Sequence, residues 1–362
     1  MKILFISRST LFKDKGGDTV QVQNTASYLR KIDVEVDIRL CNEQIDYAIY
    51  DLIHFFNIIR PADILRHIEQ SKKPYVVSTI YVDYSEYEKK ARQGISGLLF
   101  KMVPGDAIEY TKVIARFLVN GERIISPSYI LLGQSRSIKK IMREAAMLLP
   151  NSANEYRRLV SHYKIKTRFE VIPNAVDPVL FSSDSGSWLH DPDLIICAGR
   201  IEGRKNQLNL IKALHNTRFK LVIIGSASPN QSTYFEACKE AAGSNVSFVG
   251  NLPQQELISY YQRAKVHVLP SWFETTGLSS LEAAAMGCNI VVTPKGDTVE
   301  YFENYAFYCE PDSVHSIFEA IEKASLAPYD EALRHKIFTR YTWLQAAAKT
   351  KAAYQEIMQR NS

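Results

Sequence analysis

The sequence predicts an α/β protein built from two doubly wound halves, and three observations lead to this prediction. A chain of 362 residues is long enough for about two domains, each with its own core. Short apolar runs rich in β-branched and aromatic residues recur along it, with helical periodicity between them. Most of these runs are continuous rather than alternating, which is typical of parallel strands covered on both faces. Each half is therefore expected to be a Rossmann-like sheet between helices.

The predicted strands set the limits of the two domains. In the first half they are 2–7, 34–40, 52–57, 74–80, 123–128, 147–152 and 168–173, and in the second half 193–199, 220–225, 246–250, 266–271, 289–294 and 306–311. The Ser-, Asp-, Gly- and Pro-rich stretch 174–192 is the predicted linker, and 341–359 has the periodicity of a closing helix. We predict a first domain of 1–175, completed by a C-terminal helix of about 341–362, and a second domain of 176–340.

Composition excludes several classes of protein. Hydrophobic residues make up 46% and charged residues 23%, as in ordinary globular proteins, and no apolar run approaches the roughly 20 residues that span a bilayer. The start "MKILFISRST" is better explained as a first strand than as a signal peptide, so a cytoplasmic location is expected. Five widely spaced cysteines without a Cys-x-x-Cys pair indicate neither a disulfide framework nor a zinc site.

Charge is unevenly divided between the halves. Residues 1–180 carry a net charge of +7 and residues 181–362 a net charge of −2. A basic first half suits an anionic partner such as a membrane surface, but it is too mild to indicate nucleic acid. No nucleic-acid partner is therefore predicted, and a solvated surface of mixed charge explains any single cluster equally well.

Glycines and cations follow two of the predicted strands, where open α/β sheets bind their ligands. The first strand leads to Gly16-Gly17 and a helix from about Thr19, an arrangement that lets backbone amides approach an anion or simply allows a turn. The strand at 193–199 leads to Gly199, Arg200 and Lys205. Cations at a helix start oppose the helix dipole, so their placement favours an anionic ligand such as a diphosphate.

The stretch "SWFETTGLSSLEAAAMGC" (271–288) places acids on both sides of a turn. With a helix beginning near Gly277, the amides of 276–278 form an anion site between Glu274 and Glu282. Carboxylates accept hydrogen bonds from pairs of hydroxyl groups. A nucleotide sugar has a matching order of parts: ribose, diphosphate and sugar. The pattern thus favours a site for such a molecule.

The same stretch resembles the Glu-x7-Glu motif of retaining glycosyltransferases of the GT-B fold, most closely family 4 (glycosyl transferases group 1). Other family-like pieces occur in the family's order at 51–57, 149–160, 171–177, 198–206, 221–225, 246–271 and 293–302, so the resemblance covers essentially the whole chain. It implies two Rossmann-like domains that face each other across a cleft. The first would take the acceptor and the second the nucleotide sugar.

The resemblance also implies roles for individual residues. Arg200 and Lys205 would bind the donor diphosphate and stabilise the leaving group, Glu282 would hold the ribose hydroxyls and Glu274 would contact the transferred sugar. Gly17, Gly199, Thr275, Thr276, Gly277 and Leu278 would contact phosphates or sugar, and loops near Gly225 and Val249 the nucleobase. The two cations and the amides would replace a divalent ion, so no metal and no further cofactor are expected.

Some residues depart from the family pattern. The family commonly has His where this chain has Tyr81, and a phenol lacks the charge of an imidazolium. Asp83 keeps an acid nearby and is the candidate for orienting the acceptor hydroxyl. "DPD" (191–193) precedes a predicted strand, so it is interpreted as a linker turn rather than a metal motif. His54 and His267 lie within strand patterns and are expected to be packed side chains.

The predicted function is transfer of a hexose from a nucleoside diphosphate sugar to an acceptor hydroxyl, with retention. UDP-glucose or another UDP-hexose is the expected donor, and a sugar or lipid-linked sugar of bacterial surface or extracellular polysaccharide the acceptor. Two alternatives stay open: a non-catalytic sugar-nucleotide-binding subunit, and a sugar-nucleotide 2-epimerase of the same fold. The segment 86–110 mixes cations with apolar residues, which suits peripheral contact with the inner membrane, an acceptor groove or an ordinary interdomain helix face.

Overall fold

Two parallel sheets, each with its own helices, form the chain. The computed structural model describes residues 1–14, 16–82, 86–87, 126–181, 190–228 and 230–361. The strands are β1 Lys2–Ser7, β2 Glu35–Leu40, β3 Leu52–Phe56, β4 Tyr75–Ser78, β5 Met147–Leu149, β6 Asp191–Ala198, β7 Lys220–Ile224, β8 Val246–Gly250, β9 Ala264–Leu269, β10 Asn289–Val292 and β11 Ala306–Tyr308.

The α-helices are numbered here over the described part of the chain. They are α1 Gly17–Arg30, α2 Pro61–Ser71, α3 Pro127–Glu144, α4 Ala153–Tyr163, α5 Gln207–Ala213, α6 Ser232–Ala241, α7 Gln254–Arg263, α8 Leu278–Ala285, α9 Thr298–Phe302, α10 Val314–Leu326, α11 Glu331–Arg340 and α12 Trp343–Asn361. Short 3₁₀ turns occupy Gly203–Lys205 and Glu303–Tyr305.

The strands form two sheets in which neighbouring strands are parallel. The first sheet has the order β2-β1-β3-β4-β5 and the second β11-β10-β9-β6-β7-β8, with every pairing parallel. Strand β3 is buried along its whole length, as is β10, because helices cover both faces of each sheet. Parallel pairing brings the carboxyl ends of all strands in a sheet to one edge, and this edge positions the residues discussed below.

The described residues fall into two units. The first comprises 1–81, 126–174 and 343–361, and the second comprises 175–342 together with 82, 86 and 87. The sequence placed the main boundary between 175 and 176. Helix α12 is joined to the first unit by Lys351, whose Nζ donates to the carbonyl of Ile32 at 2.6 Å, and by Tyr354, whose hydroxyl lies 2.6 Å from Nδ1 of His54.

Two predicted strands differ from the structure: 168–173, and the part 126–128 of 123–128, whose residues 123–125 lie outside the described ranges. Within 123–128, Pro127 begins α3, and the Ser126 hydroxyl accepts from the amide of Ser128 at 3.2 Å as an N-cap. A capping serine followed by proline is a helix-start signal. The stretch 168–173 makes one isolated bridge, between Phe169 and Leu148, because its hydrogen bonds to β5 do not continue into a ladder.

Each sheet contains one buried histidine on a central strand. His54 is buried, with Nε2 2.8 Å from Oγ of Ser78, and burial lowers its pKa to about 3. His267, on the central strand β9, is fully buried, and its pKa is also lowered to about 3. All five cysteines are buried and free. Over the described ranges, no helix has both the length and the apolar character needed to cross a membrane.

Acid is expected to destabilise the first unit through His54. The unfolded chain binds a proton near pH 6.5, which the folded chain does not bind until about pH 3. The contribution of neutral His54 to the free energy of unfolding is therefore fully present above pH 6.5, and it is lost progressively as the pH falls below this value. Between pH 7 and pH 5, His54 should lower the free energy of unfolding by about 2 kcal/mol.

Urea unfolding at the two pH values measures this effect. His54→Gln should be less stable at pH 7, yet its stability should depend less on pH than that of the wild type. The matched change His315→Gln, at a side chain 81% exposed on α10, should keep the wild-type dependence. Equal losses of stability in His54→Gln and the wild type would contradict the role of His54.

Candidate active site

The candidate site lies at the carboxyl edge of the second sheet. Strand β6 sits between β9 and β7 in this sheet, so the loops that follow these three strands are neighbours. The loop after β6 carries Arg200 and Lys205, and the loop after β9 carries Glu274. The sheet topology thus brings together residues that are about seventy positions apart in the sequence.

Asn206 fixes the backbone of the loop that carries Lys205. It adopts a left-handed conformation, with φ 64°, directly after the 3₁₀ turn Gly203–Lys205. Its buried side-chain amide donates to the carbonyls of Pro270 at 3.0 Å and Pro311 at 2.6 Å. One side chain therefore joins the loops after β6, β9 and β11. The sequence analysis missed this residue, although asparagine is one of the few residue types that tolerate this conformation.

Lys205 and Glu274 form an ion pair. The Lys205 ammonium donates directly to Oε1 of Glu274, and the two side chains are only 14% and 8% exposed. The Glu274 backbone is held from the loop after β10, because its amide donates to the Lys295 carbonyl at 3.2 Å and its carbonyl accepts from the Asp297 amide at 2.9 Å. The backbone that carries the carboxylate is thus fixed.

The ionisation of Glu274 follows from its neighbours. Burial acts to raise its pKa, but the charges of Lys205 and Arg204, with the hydrogen bond from Lys205, hold the pKa of Glu274 below its usual value. The side chain is therefore a carboxylate at neutral pH. A carboxylate in this position can accept hydrogen bonds from hydroxyl groups.

A second carboxylate organises the other cations. Glu202 is 9% exposed, and its Oε1 lies 2.6 Å from Nη2 of Arg204 and 3.8 Å from Nε of Arg200. The Ser228 hydroxyl, from the loop after β7, donates to Oε2 at 3.2 Å. Arg200 itself stays 41% exposed, so its guanidinium is accessible to a ligand. Glu202 and Arg204 lie within the family-like stretch 198–206, and no role is predicted for either from the sequence.

Helix α8 begins at Leu278, next to the helix start that the sequence predicts near Gly277. Gly277 is its N-cap with φ +73°, and Leu278 is its first residue. Thr276 is buried and Thr275 half-buried. Glu282, in the second turn, accepts from Nε2 of Gln254 at 3.0 Å and from the hydroxyl of Tyr261 at 3.3 Å. Burial raises the pKa of Glu282 to about 7, against the lowering effect of these two bonds.

Three glycines lie at the carboxyl ends of neighbouring strands: Gly199 follows β6, Gly225 follows β7 and Gly250 ends β8. The Gly199 amide donates to the Ile224 carbonyl at 2.9 Å, and the Gly225 amide donates to the Gly250 carbonyl at 2.8 Å. Gly225 has φ +141°, and a Cβ there would lie 2.1 Å from the carbonyl oxygen of Gly199. Val249 is half-buried at the end of β8. The close approach of these backbones explains why glycine occupies position 225.

In the first unit, Gly17 begins α1, two residues earlier than predicted. Arg8, which follows β1, pairs with Asp18 at 2.6 Å and donates to the carbonyl of Asp14 at 2.6 Å. This pairing closes the glycine loop and was not predicted. Acidic Asp18 in the first turn suits the positive end of the helix dipole.

The Tyr81 ring is packed rather than exposed. It is 6% exposed, and its ring centroid lies 6.2 Å from that of His162 and 6.1 Å from that of Tyr163. The Tyr81 amide donates to the buried Glu155 carboxylate at 2.7 Å. Ile80, just before it, has φ +43°, an unusual conformation for a β-branched residue. Asp83 lies outside the described residues.

The sequence comparison decides the family of the second unit. Residues 182–339 match the profile of glycosyl transferases group 1. The second unit carries a glycosyl transferases group 1 domain. The resemblance stated from the sequence is thereby confirmed. Within the described residues, no group of three or more His, Cys, Asp or Glu side chains is arranged to hold a metal ion.

Curated proteins similar to this chain include D-inositol 3-phosphate glycosyltransferases. The protein of Corynebacterium aurimucosum is 22% identical, over 95% of this chain and 92% of its own length. That of Pseudarthrobacter chlorophenolicus is 31% identical, over 56% of this chain and 52% of its own length. Sequence similarity thus extends over nearly the whole chain in the first case and about half of each chain in the second.

Solved structures establish the fold. Sucrose-phosphate synthase from Thermosynechococcus elongatus matches with a TM-score of 0.74 and 15% identity, over 99% of this chain and 100% of that one. Anabaena Alr3699/HepE in complex with UDP matches with a TM-score of 0.69 and 15% identity, over 98% and 100%. The predicted GT-B fold, with two Rossmann-like domains, is confirmed.

Gly225→Ala is expected to destabilise the second unit by about 2 kcal/mol or more, because an alanine needs both an unfavourable φ and a displaced Gly199 carbonyl. Gly250→Ala is the matched control. It also has a positive φ, +79°, but its Cβ would meet no atom within 4 Å, so about 1 kcal/mol is expected. Thermal unfolding of both variants measures the difference; equal losses would show that the Gly199 contact is unimportant.

Proposed function

We propose that the chain is a retaining glycosyltransferase that transfers a hexose from a nucleoside diphosphate sugar to an acceptor hydroxyl. UDP-glucose or another UDP-hexose is the proposed donor. The observation that carries this proposal is the cluster of Arg200, Lys205 and Glu274 at the carboxyl edge of the second sheet, close in sequence to the start of α8. Its charges fit the parts of a nucleotide sugar.

The cations and the helix start bind the diphosphate. Arg200 supplies an accessible guanidinium, which can bond two phosphate oxygens at once, and Lys205 supplies a compact charge. The first amides of α8 and the helix dipole add to the attraction. Glu274 accepts hydrogen bonds from the sugar hydroxyls and Glu282 from the ribose. The loops at Gly225 and Val249 contact the nucleobase.

The reaction breaks the bond between the anomeric carbon and the β-phosphate oxygen, and the electron pair leaves with the diphosphate. Arg200, Lys205 and the α8 amides stabilise this developing charge, since preorganised donors act most strongly where charge appears. The acceptor oxygen then bonds to the same face of the anomeric carbon, and its proton passes to the departing phosphate oxygen. Configuration is retained in this route.

A uridine donor is supported by the solved relatives. The Anabaena Alr3699/HepE structures include complexes with UDP and with UDP-glucose. The lipopolysaccharide outer core galactosyltransferase WaaB is a further structural match, with a TM-score of 0.64 and 13% identity over 98% of this chain and 99% of that one. These likenesses support UDP-hexose as donor and a role in bacterial surface or extracellular polysaccharide assembly.

The first unit takes the acceptor, a sugar or lipid-linked sugar, and Asp83 orients its hydroxyl. The net charge of +7 on residues 1–180 supports peripheral contact with the cytoplasmic face of an anionic membrane. The proposed location of the enzyme is therefore the cytoplasm.

Removal of the donor-binding cations tests the proposal. Lys205→Ala and Arg200→Ala should each weaken UDP binding by about tenfold or more, because each removes a charge-assisted bond to phosphate. Isothermal titration calorimetry measures the affinity. Lys220→Ala is the matched control: Lys220 is 66% exposed at the start of β7, at the opposite edge of the sheet, and pairs with Asp191 at 3.2 Å. Unchanged UDP affinity in both site variants would contradict the proposed site.

Metal chelation tests the mode of leaving-group stabilisation. Transfer should proceed at the same rate with EDTA as with added Mg²⁺ or Mn²⁺, because Arg200, Lys205 and the α8 amides neutralise the diphosphate. A rate that falls with EDTA and returns with one metal ion would contradict metal independence.

Analysis of the same reaction mixtures by NMR separates the alternatives. A new glycoside with the anomeric configuration of the donor supports a retaining transferase. An epimerised donor formed without acceptor would favour the 2-epimerase. Donor binding with neither hydrolysis nor transfer would favour the non-catalytic subunit.

A further inference from the structure

The cations of the candidate site are already paired with carboxylates. Lys205 contacts Glu274, and Arg204 and Arg200 share Glu202. These five side chains carry three positive and two negative charges within two adjacent loops. An incoming diphosphate would thus meet cations whose charge is largely neutralised. Binding then requires that the phosphate competes with a carboxylate for the same ammonium or guanidinium group.

The Lys205–Glu274 pair is the part of this cluster on which competition acts most directly. Both side chains are largely buried, at 14% and 8% exposed, so solvent screens their attraction poorly. An ammonium is a compact single charge, and its attraction to Glu274 weakens when its N–H donors and its charge are shared with phosphate oxygens. The Glu274 backbone is fixed by Lys295 and Asp297, which leaves Lys205 as the partner that can reorient.

We infer that the Lys205–Glu274 ion pair is a ligand-operated switch, in which the donor diphosphate draws the Lys205 ammonium away from Glu274 and thereby frees this carboxylate to receive the sugar. The inference rests on the proposed donor site and adds an order of events to it. Before the diphosphate binds, the Lys205 ammonium contacts the Glu274 carboxylate, which is the group that would accept hydrogen bonds from the sugar hydroxyls. Phosphate binding and sugar recognition are therefore coupled through one side chain.

This coupling makes an unusual prediction for nucleotides without sugar. In Glu274→Gln the ammonium of Lys205 loses its charged competitor, so UDP should bind about threefold or more tighter than to the wild type. The affinity for UDP-glucose should rise less than the affinity for UDP, or should fall, because residue 274 no longer presents a carboxylate to the sugar hydroxyls. Transfer should fall. A site in which Glu274 only stabilises the loop would instead lose affinity for both ligands.

The matched control is Glu322→Gln, which removes one negative charge from the same unit. Glu322 lies on α10 and reaches Arg218, 4.0 Å away, which also pairs with Asp193 near the start of β6. It therefore sits at the amino edge of the sheet, opposite the site. UDP affinity should be unchanged in this variant. An equal gain in UDP affinity from Glu322→Gln would show a general charge effect and would overturn the switch.

Isothermal titration calorimetry with UDP, GDP and ADP on the full chain tests the inference. Thermal unfolding first shows whether Glu274→Gln is folded; Glu274→Asp, whose shorter side chain reaches Lys205 less well, serves as the second variant and should also tighten nucleotide binding. If Lys205→Ala loses UDP binding while both Glu274 variants bind UDP no tighter than the wild type, the switch is wrong and the donor site stands. If the wild type binds none of the three nucleotides, the donor site fails, and the switch fails with it.

Discussion

The contact between the Lys205 ammonium and the Glu274 carboxylate holds together the two loops from which the candidate site is built. These residues are 69 positions apart, and only the adjacency of β6 and β9 in a parallel sheet brings them together. Hydrogen bonds from the Asn206 side chain and from the loop after β10 then fix the backbones that carry Lys205 and Glu274. The site thus depends on strand order first and on a few buried polar contacts second.

Continuous apolar runs predicted most strands because burial on both faces leaves a strong signal in the sequence. Strand β1 begins and ends as predicted, at Lys2 and Ser7, and so does β8, at Val246 and Gly250. The two failures have local causes: a serine cap and proline that begin α3, and a stretch at 168–173 that pairs with β5 at a single bridge. Apolar content alone could not reveal either.

The sequence singles out Arg200, Lys205, Glu274 and Glu282 as candidates, but not the contacts that they make. Arg200 and Lys205 stand out because cations at a helix start oppose the helix dipole, and Glu274 and Glu282 stand out because they flank a glycine-containing turn. The ion pair, the support from Asn206 and the sharing of Glu202 by Arg200 and Arg204 join positions that carry no pairing signal in one sequence. Packing of Tyr81 against His162 and Tyr163 likewise depends on long-range placement.

The central claim is that a nucleoside diphosphate binds at the carboxyl edge of the second sheet. A crystal structure of the protein with UDP tests this most directly. We predict diphosphate oxygens within hydrogen-bond distance of Arg200, Lys205 and the first amides of α8, with the ribose at Glu282. A nucleotide bound elsewhere, with these side chains arranged as in the ligand-free protein, would contradict the account.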